Sequence, residues 1–134
     1  ALSLAVKRLE TSLGATPDVV ACDAHPGYLS SLWAAARAAR DGVPLVRVQH
    51  HHAHLASLQA EAVARGALAP DVELAAFTFD GTGYGEDGTI WGGEFLRGGA
   101  AGFERLASLQ SFLLPGGDVA VKHPWRIVLG VLDA

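Results

Sequence analysis

Leu45-Val46-Arg47-Val48-Gln49-His50-His51-His52-Ala53-His54 joins a short β-branched run to a segment that holds four of the chain's six histidines. Leu45 to Val48 reads as a strand. The histidine segment reads as the opening of a helix that continues through Leu55, Leu58, Ala62 and Val63 to Gly66. On that helix His50 and His54 stand at i and i+4, neighbours on one face, so their rings can converge on one metal ion without bending the backbone. His51 and His52 point elsewhere on the helix.

The same alternation of elements precedes this stretch. Leu2, Leu4, Ala5, Leu9 and Leu13 recur at helical spacing, and Gly14 with Pro17 ends the helix. Val19-Val20-Ala21-Cys22 is wholly apolar, as a parallel strand buried on both faces would be. It breaks at Asp23-Ala24-His25-Pro26-Gly27-Tyr28, a polar loop at the strand's carboxyl end, where open α/β sheets place their ligands. The alanine-rich segment Leu29 to Arg40 has strong helix propensity and stops at Asp41-Gly42. Helix, strand, helix, strand, helix in this order implies parallel βαβ units with right-handed crossovers, and hence an α/β fold.

After Ala69-Pro70-Asp71 the pattern changes, which divides the chain into a unit at 1–69 and a second at 70–134. Glu73 to Phe79 reads as a strand entering a glycine-dense turn, Asp80 to Gly88. Thr89 to Arg97 returns as its antiparallel partner, and Phe103 to Leu109 is a third strand. Leu114-Pro115-Gly116-Gly117-Asp118 is a loop, with Asp118 placed to cap one last helix carrying Val121, Trp125, Val128 and Leu132. There is no internal repeat.

With 134 residues, 50% of them hydrophobic, the chain can bury one core. Its net charge of −4 offers no basic footprint for nucleic acid or an anionic membrane. No apolar run approaches the ~20 residues of a bilayer span. The single cysteine, Cys22, excludes an internal disulfide, fits a reducing compartment and reads as a core thiol; a cytoplasmic location is expected. A start without Met or signal segment suggests a cut or processed end.

A metal held by two imidazoles needs a third protein ligand, and a carboxylate suits a site with an open position. Asp80, at the end of a strand expected beside the helix start, is the candidate; the alternative is an Asx turn with Gly81. Iron and zinc suit such a donor set equally. The glycines of Asp80-Gly81-Thr82-Gly83-Tyr84-Gly85 either let backbone N–H groups approach a phosphate or serve only the turn. Gly116-Gly117 stands just before a helix amino end, which favours an anion. Two such loops and a histidine pair around one crevice suggest a metal-assisted nucleotide site. His25, with Asp23 and Tyr28, is either a substrate contact or a hydrogen-bonded loop histidine. Lys122 or Arg126 could reach phosphates, and Trp33, Trp91 and Trp125 read as packing residues. No catalytic residue is assigned.

Five segments in order, Cys22 to Tyr28, Val48 to His54, Asp80 to Gly85, Trp91-Gly92-Gly93-Glu94, and Leu114 to Asp118 with Lys122 and Pro124-Trp125-Arg126, closely resemble the hydrogenase maturation carbamoyltransferase family, HypF. They span residues 22 to 126. The resemblance implies a segment of the family's carboxy-terminal Kae-type domain, an actin-like ATPase fold, comprising the end of its first lobe and the start of its second. It implies His50 and His54 as a divalent-metal pair with Asp80 as a further ligand. Gly81, Thr82, Gly83 and Gly85 resemble its phosphate loop, while Gly116, Gly117 and Asp118 resemble the loop beside the nucleotide ribose.

In that family carbamoyl adenylate is made from carbamoyl phosphate and ATP in a YrdC-like domain. The carbamoyl group then passes to the carboxy-terminal cysteine of the partner HypE. The YrdC-like part and the family's downstream metal-binding aspartate lie outside this chain, so the fragment alone is expected to be inactive. The related tRNA threonylcarbamoyl-transfer enzymes and a non-catalytic nucleotide- or metal-binding lobe are the alternatives.

Overall fold

The computed structural model describes all 134 residues. Helix α1 (Leu2–Leu13) ends at Gly14, whose left-handed φ of 61° lets its N–H close on Glu10 O. Strand β1 (Val20–Asp23) leads through the Asp23–Tyr28 loop into α2 (Leu29–Asp41), which stops at Gly42 in the same way. Strand β2 (Leu45–Val48) pairs with β1 in parallel, Val20 opposite Leu45 and Asp23 opposite Val48. That register sets the carboxyl end of β1 beside the start of α3 (His50–Ala64). Gln49 begins α3, its side chain accepting from His52 N at 2.8 Å.

Helix α2 covers one face of this small sheet, with Ser31, Ala34 and Ala38 buried. The sheet's other face is uncovered. Ala21 and Val46 are exposed and Cys22 is half-buried, so β1 is apolar on both sides but buried on only one.

The second sheet has the order β3-β4-β5, all antiparallel: β3 (Leu74–Tyr84), β4 (Ile90–Gly99) and β5 (Gly102–Ser108). Strand β3 runs on through Asp80-Gly81-Thr82-Gly83-Tyr84, where the sequence suggests a turn. The ladder breaks between Phe79, opposite Gly93, and Gly83, opposite Trp91. Asp80 to Thr82 therefore stand against Gly92 alone, a bulge that bends the strand and re-aims its side chains. The true turn is tighter, closed by Gly85 N to Thr89 O at 2.9 Å, with Gly88 at φ 77°.

Helix α3 packs on β3 and β4, and most of the core lies there: Leu55, His51 and Gln59 from the helix, Thr78, Trp91, Glu94 and Leu96 from the hairpin. Gln59 ties the helix to its surroundings. Its Nε2 donates to Val72 O at 2.8 Å and its Oε1 accepts from Ala100 N at 2.6 Å. In all, 17 of 134 residues are buried, and Phe77 and Phe79 on β3 are 68% and 72% exposed, so large apolar faces stand open.

Two helices, α4 (Val119–Lys122) and α5 (Trp125–Leu132), replace the single one expected at the end. His123 at φ −133°, ψ 76° breaks them apart, because the residue before a proline is pushed out of the helical region. Asp118 makes no side-chain cap. Its φ −56°, ψ −22° are already helical, whereas a capping side chain needs an extended backbone.

Candidate metal centre

The parallel pairing of β1 with β2 and the bulge in β3 both deliver polar side chains to the amino end of α3. Asp80 stands at the bulge, with Oδ2 2.8 Å from His50 Nε2 and 4.0 Å from His54 Nε2. One donor atom from each of His50, His54 and Asp80 lies within 4.8 Å of the other two. The histidine rings are 5.0 Å apart between centroids and nearly perpendicular, at 83°. Asp80's second oxygen, Oδ1, accepts from Gly81 N at 2.6 Å, which fixes the carboxylate's orientation.

This donor set fits a divalent ion. Two imidazole nitrogens and a carboxylate oxygen are the ligand types that zinc and iron take, and three of them leave room for substrate or solvent. His54, with 55% of its side chain exposed, can turn towards the other two. His50 is the more constrained, because its Nδ1 is 3.0 Å from Asp23 Oδ2.

The remaining histidines do other work. His51 is fully buried beneath the hairpin, where Gly83 lies so close that a Cβ there would stand 2.5 Å from His51 Cε1. Burial holds the His51 imidazole below its usual range, opposed by the charge of Glu94. Its Nε2 is buried without a hydrogen-bond partner. His52 Nε2 contacts Gly99 O at 2.7 Å, and the ring stacks on Phe103 at 4.8 Å. His25 accepts from Gly27 N at Nδ1 and stacks on Tyr28 at 4.0 Å, a hydrogen-bonded loop histidine.

The glycine segments divide between packing and open space. Gly83 and Gly85 give room to side chains, the first to His51 and the second to the Trp91 indole, and only Gly81 of the three faces open space. Thr82 stands exposed in the bulge between them. Gly116 and Gly117, at φ 87° and 54°, form the turn into α4. Arg126 arches over that turn, its Nη1 donating to Pro115 O at 3.4 Å, with its Nε buried and unpaired. Helices α4 and α5 pack on each other, and neither packs extensively on α3 or the hairpin. The structure thus brings His50, His54 and Asp80 together, while Gly116, Gly117 and Asp118 form the separate turn into α4.

Sequence reasoning misses Asp23, Gln49 and His51 as neighbours of this cluster. The signal for Asp23 is the strand order: adjacent parallel strands put the last residue of β1 next to the first turn after β2.

The chain is similar to known proteins along nearly its whole length. Residues 1–61 match the family described as the HypF Kae1-like domain, and residues 76–134 match the second subdomain of the carbamoyltransferase Kae1-like domain. The carbamoyltransferase HypF2 of Cupriavidus necator is 45% identical over the whole chain, which spans 16% of that relative's length. The carbamoyltransferase HypF of Rhodobacter capsulatus is 50% identical over 88% of the chain, again 16% of the relative. Among solved structures, full-length HypF in the phosphate- and nucleotide-bound form superposes with a TM-score of 0.78 at 40% identity, covering 93% of this chain and 15% of that one. HypF of T. kodakarensis gives 0.72 at 40% identity, over 86% of this chain and 14% of that one. The alternation of parallel strands and helices is thus that of an actin-like α/β ATPase lobe, and the chain belongs to the HypF carbamoyltransferase family, as a piece of its Kae1-like domain.

Proposed function

We propose that this chain supplies part of the site at which a carbamoyl group passes from carbamoyl adenylate to a cysteine thiol. The adenylate is formed from carbamoyl phosphate and ATP, and the acceptor is the carboxy-terminal cysteine of HypE, in nickel–iron hydrogenase maturation. On this reading residues 1–69 are the end of a first actin-like lobe and 70–134 the start of a second.

The observation that carries the reading is the convergence of His50, His54 and Asp80, three donors within 4.8 Å of one another from two different sheets' surroundings. These residues hold a divalent cation, iron or zinc. Once bound, it supplies Lewis acidity that polarises a carbonyl or phosphoryl oxygen. The chain's own groups do the rest. Asp80, fixed through Gly81 N, joins the hairpin to the histidine helix. Gly81 leaves the backbone at the bulge uncrowded, with its own N–H held by Asp80. Arg126, set over the Gly116-Gly117 turn, offers charge to a second part of the nucleotide.

The test is elemental analysis of the intact protein, purified without a histidine tag or added metal, beside its His50→Ala, His54→Ala double variant. Near-stoichiometric iron or zinc in the first and none in the second is expected. Equal metal in both would sink the assignment. Assay of carbamoyl transfer to a protein thiol against transfer to tRNA then fixes the acceptor.

A further inference from the structure

Asp23 belongs to neither the proposed donor set nor the glycine segments, yet its carboxylate meets one of the donors from behind. Oδ2 is 3.0 Å from His50 Nδ1, while Nε2 of the same ring faces Asp80. When a cation occupies Nε2, the imidazole has one proton, and an ionised carboxylate beside Nδ1 can only accept it. Asp23 is itself firmly held. Its Oδ1 accepts from His25 N at 2.7 Å, its main-chain oxygen accepts from the buried Ser31 hydroxyl at 3.0 Å, and its side chain is only 19% exposed.

We infer that Asp23 is the positioning residue of this metal centre: it fixes the plane and tautomer of His50 and strengthens Nε2 as a ligand. The inference rests on the metal reading above. A carboxylate hydrogen-bonded to the far nitrogen of a ligating histidine raises that ligand's basicity and selects its orientation. The competing role for Asp23 is purely local, as the anchor of the loop that carries His25 and Tyr28.

Asparagine separates the two roles because it has one acceptor where aspartate has two. In Asp23→Asn the carbonyl oxygen goes to the fixed His25 N–H donor and keeps the loop. The amide NH2 is then turned to His50 Nδ1 and demands a lone pair there, which moves the ring proton to Nε2 and blocks the ligating nitrogen. Ser31→Ala is the control, removing a loop anchor while leaving the carboxylate in place.

The experiment is zinc affinity by chelator competition on the intact protein for wild type, Asp23→Asn and Ser31→Ala. It is paired with nitrogen-15 NMR of the zinc-loaded, histidine-labelled wild type. Asp23→Asn is expected to bind zinc about 10- to 100-fold more weakly, with Ser31→Ala within about twofold of wild type. His50 is expected to carry its proton on Nδ1. Asp23→Asn affinity equal to wild type, an equal fall in Ser31→Ala, or a proton on Nε2 of His50 would each overturn the inference while leaving the metal site standing. Failure of the wild type itself to bind zinc would overturn the metal reading and this inference with it.

Discussion

Glu94 and Arg105 form an ion pair across β4 and β5, Oε2 to Nε at 2.6 Å, with the glutamate side chain only 3% exposed. The other carboxylate oxygen accepts from Gly92 N at 3.0 Å. The guanidinium in turn lies 4.2 Å over the Trp91 ring and reaches Asp87 at 3.1 Å. Glu94→Gln keeps the shape and removes the charge, so it is expected to cost about 2 kcal/mol, the worth of a hydrogen bond to a charged group. Hydrogen exchange of the β4 and β5 amides should quicken about 30-fold if they open together. Unchanged exchange would show that Asp87 alone suffices for Arg105.

Gly83 and Gly81 are two residues apart and should respond oppositely to alanine. A Cβ at Gly83 would stand 2.5 Å from His51 Cε1 and 3.2 Å from His50 Cβ, against a buried ring with nowhere to go. Gly83→Ala is expected to destabilise by about 1–3 kcal/mol and to lower metal occupancy by displacing His50. Gly81→Ala meets nothing within 4 Å and should stay within about 0.5 kcal/mol of wild type. Thermal unfolding and metal content of the two variants decide the matter.

Gln59 is buried with three partners, Val72 O, Pro70 O and Ala100 N. Gln59→Leu leaves Ala100 N and Val72 O without it, and about 1–3 kcal/mol should be lost for the stranded groups. Proteolysis within residues 66–72, the segment that Gln59 pins to α3, is the sensitive measurement. A cleavage rate equal to wild type would mean that solvent replaces the lost bonds.

Asp87 accepts from the Thr89 hydroxyl and N–H, then from the Trp91 indole, beside Arg105, and these hold its carboxyl at about 2, below the ordinary 3.8. A depressed carboxyl stabilises the fold above its unfolded value. That contribution is lost as pH falls from about 4 towards about 2. The stability gap between wild type and Asp87→Asn should therefore be constant above about pH 4 and shrink below it. Denaturation followed by tryptophan fluorescence across that range measures it, and a gap independent of pH would count against the Asp87 contacts.

Local patterns carried most of the elements. The runs around Leu2–Leu13, Leu29–Asp41 and His50–Ala64 show helical spacing with glycine close behind, and β2 is bounded by Pro44 and Gln49. The approach of His50 to His54 was legible because i, i+4 histidines need no tertiary knowledge; Asp80 was expected at the end of a strand and instead reaches them from a bulge within one that runs on to Tyr84. What lay beyond reach depends on distant partners. Strand β3 continues through Gly83 with His51, far away in sequence, filling the space that a side chain there would take. Burial of His51, next to two histidines with exposed or half-exposed rings, comes from the hairpin laid over it. Asp23 was read with His25, its neighbour in the chain, although its other oxygen serves a residue 27 positions away.

Three residues opposite one, Asp80 to Thr82 against Gly92, give this stretch a property that substitution experiments alone would miss. Side-chain identity at exposed Thr82 is open to change, but the number of residues between Phe79 and Gly83 is not. Dropping one slips the register of the strand beyond it, draws Gly83 away from His51 and seats a side chain where only a glycine fits. Removing Thr82 altogether should therefore cost stability where replacing it by alanine does not, so segment length matters here as well as the Asp80 carboxylate.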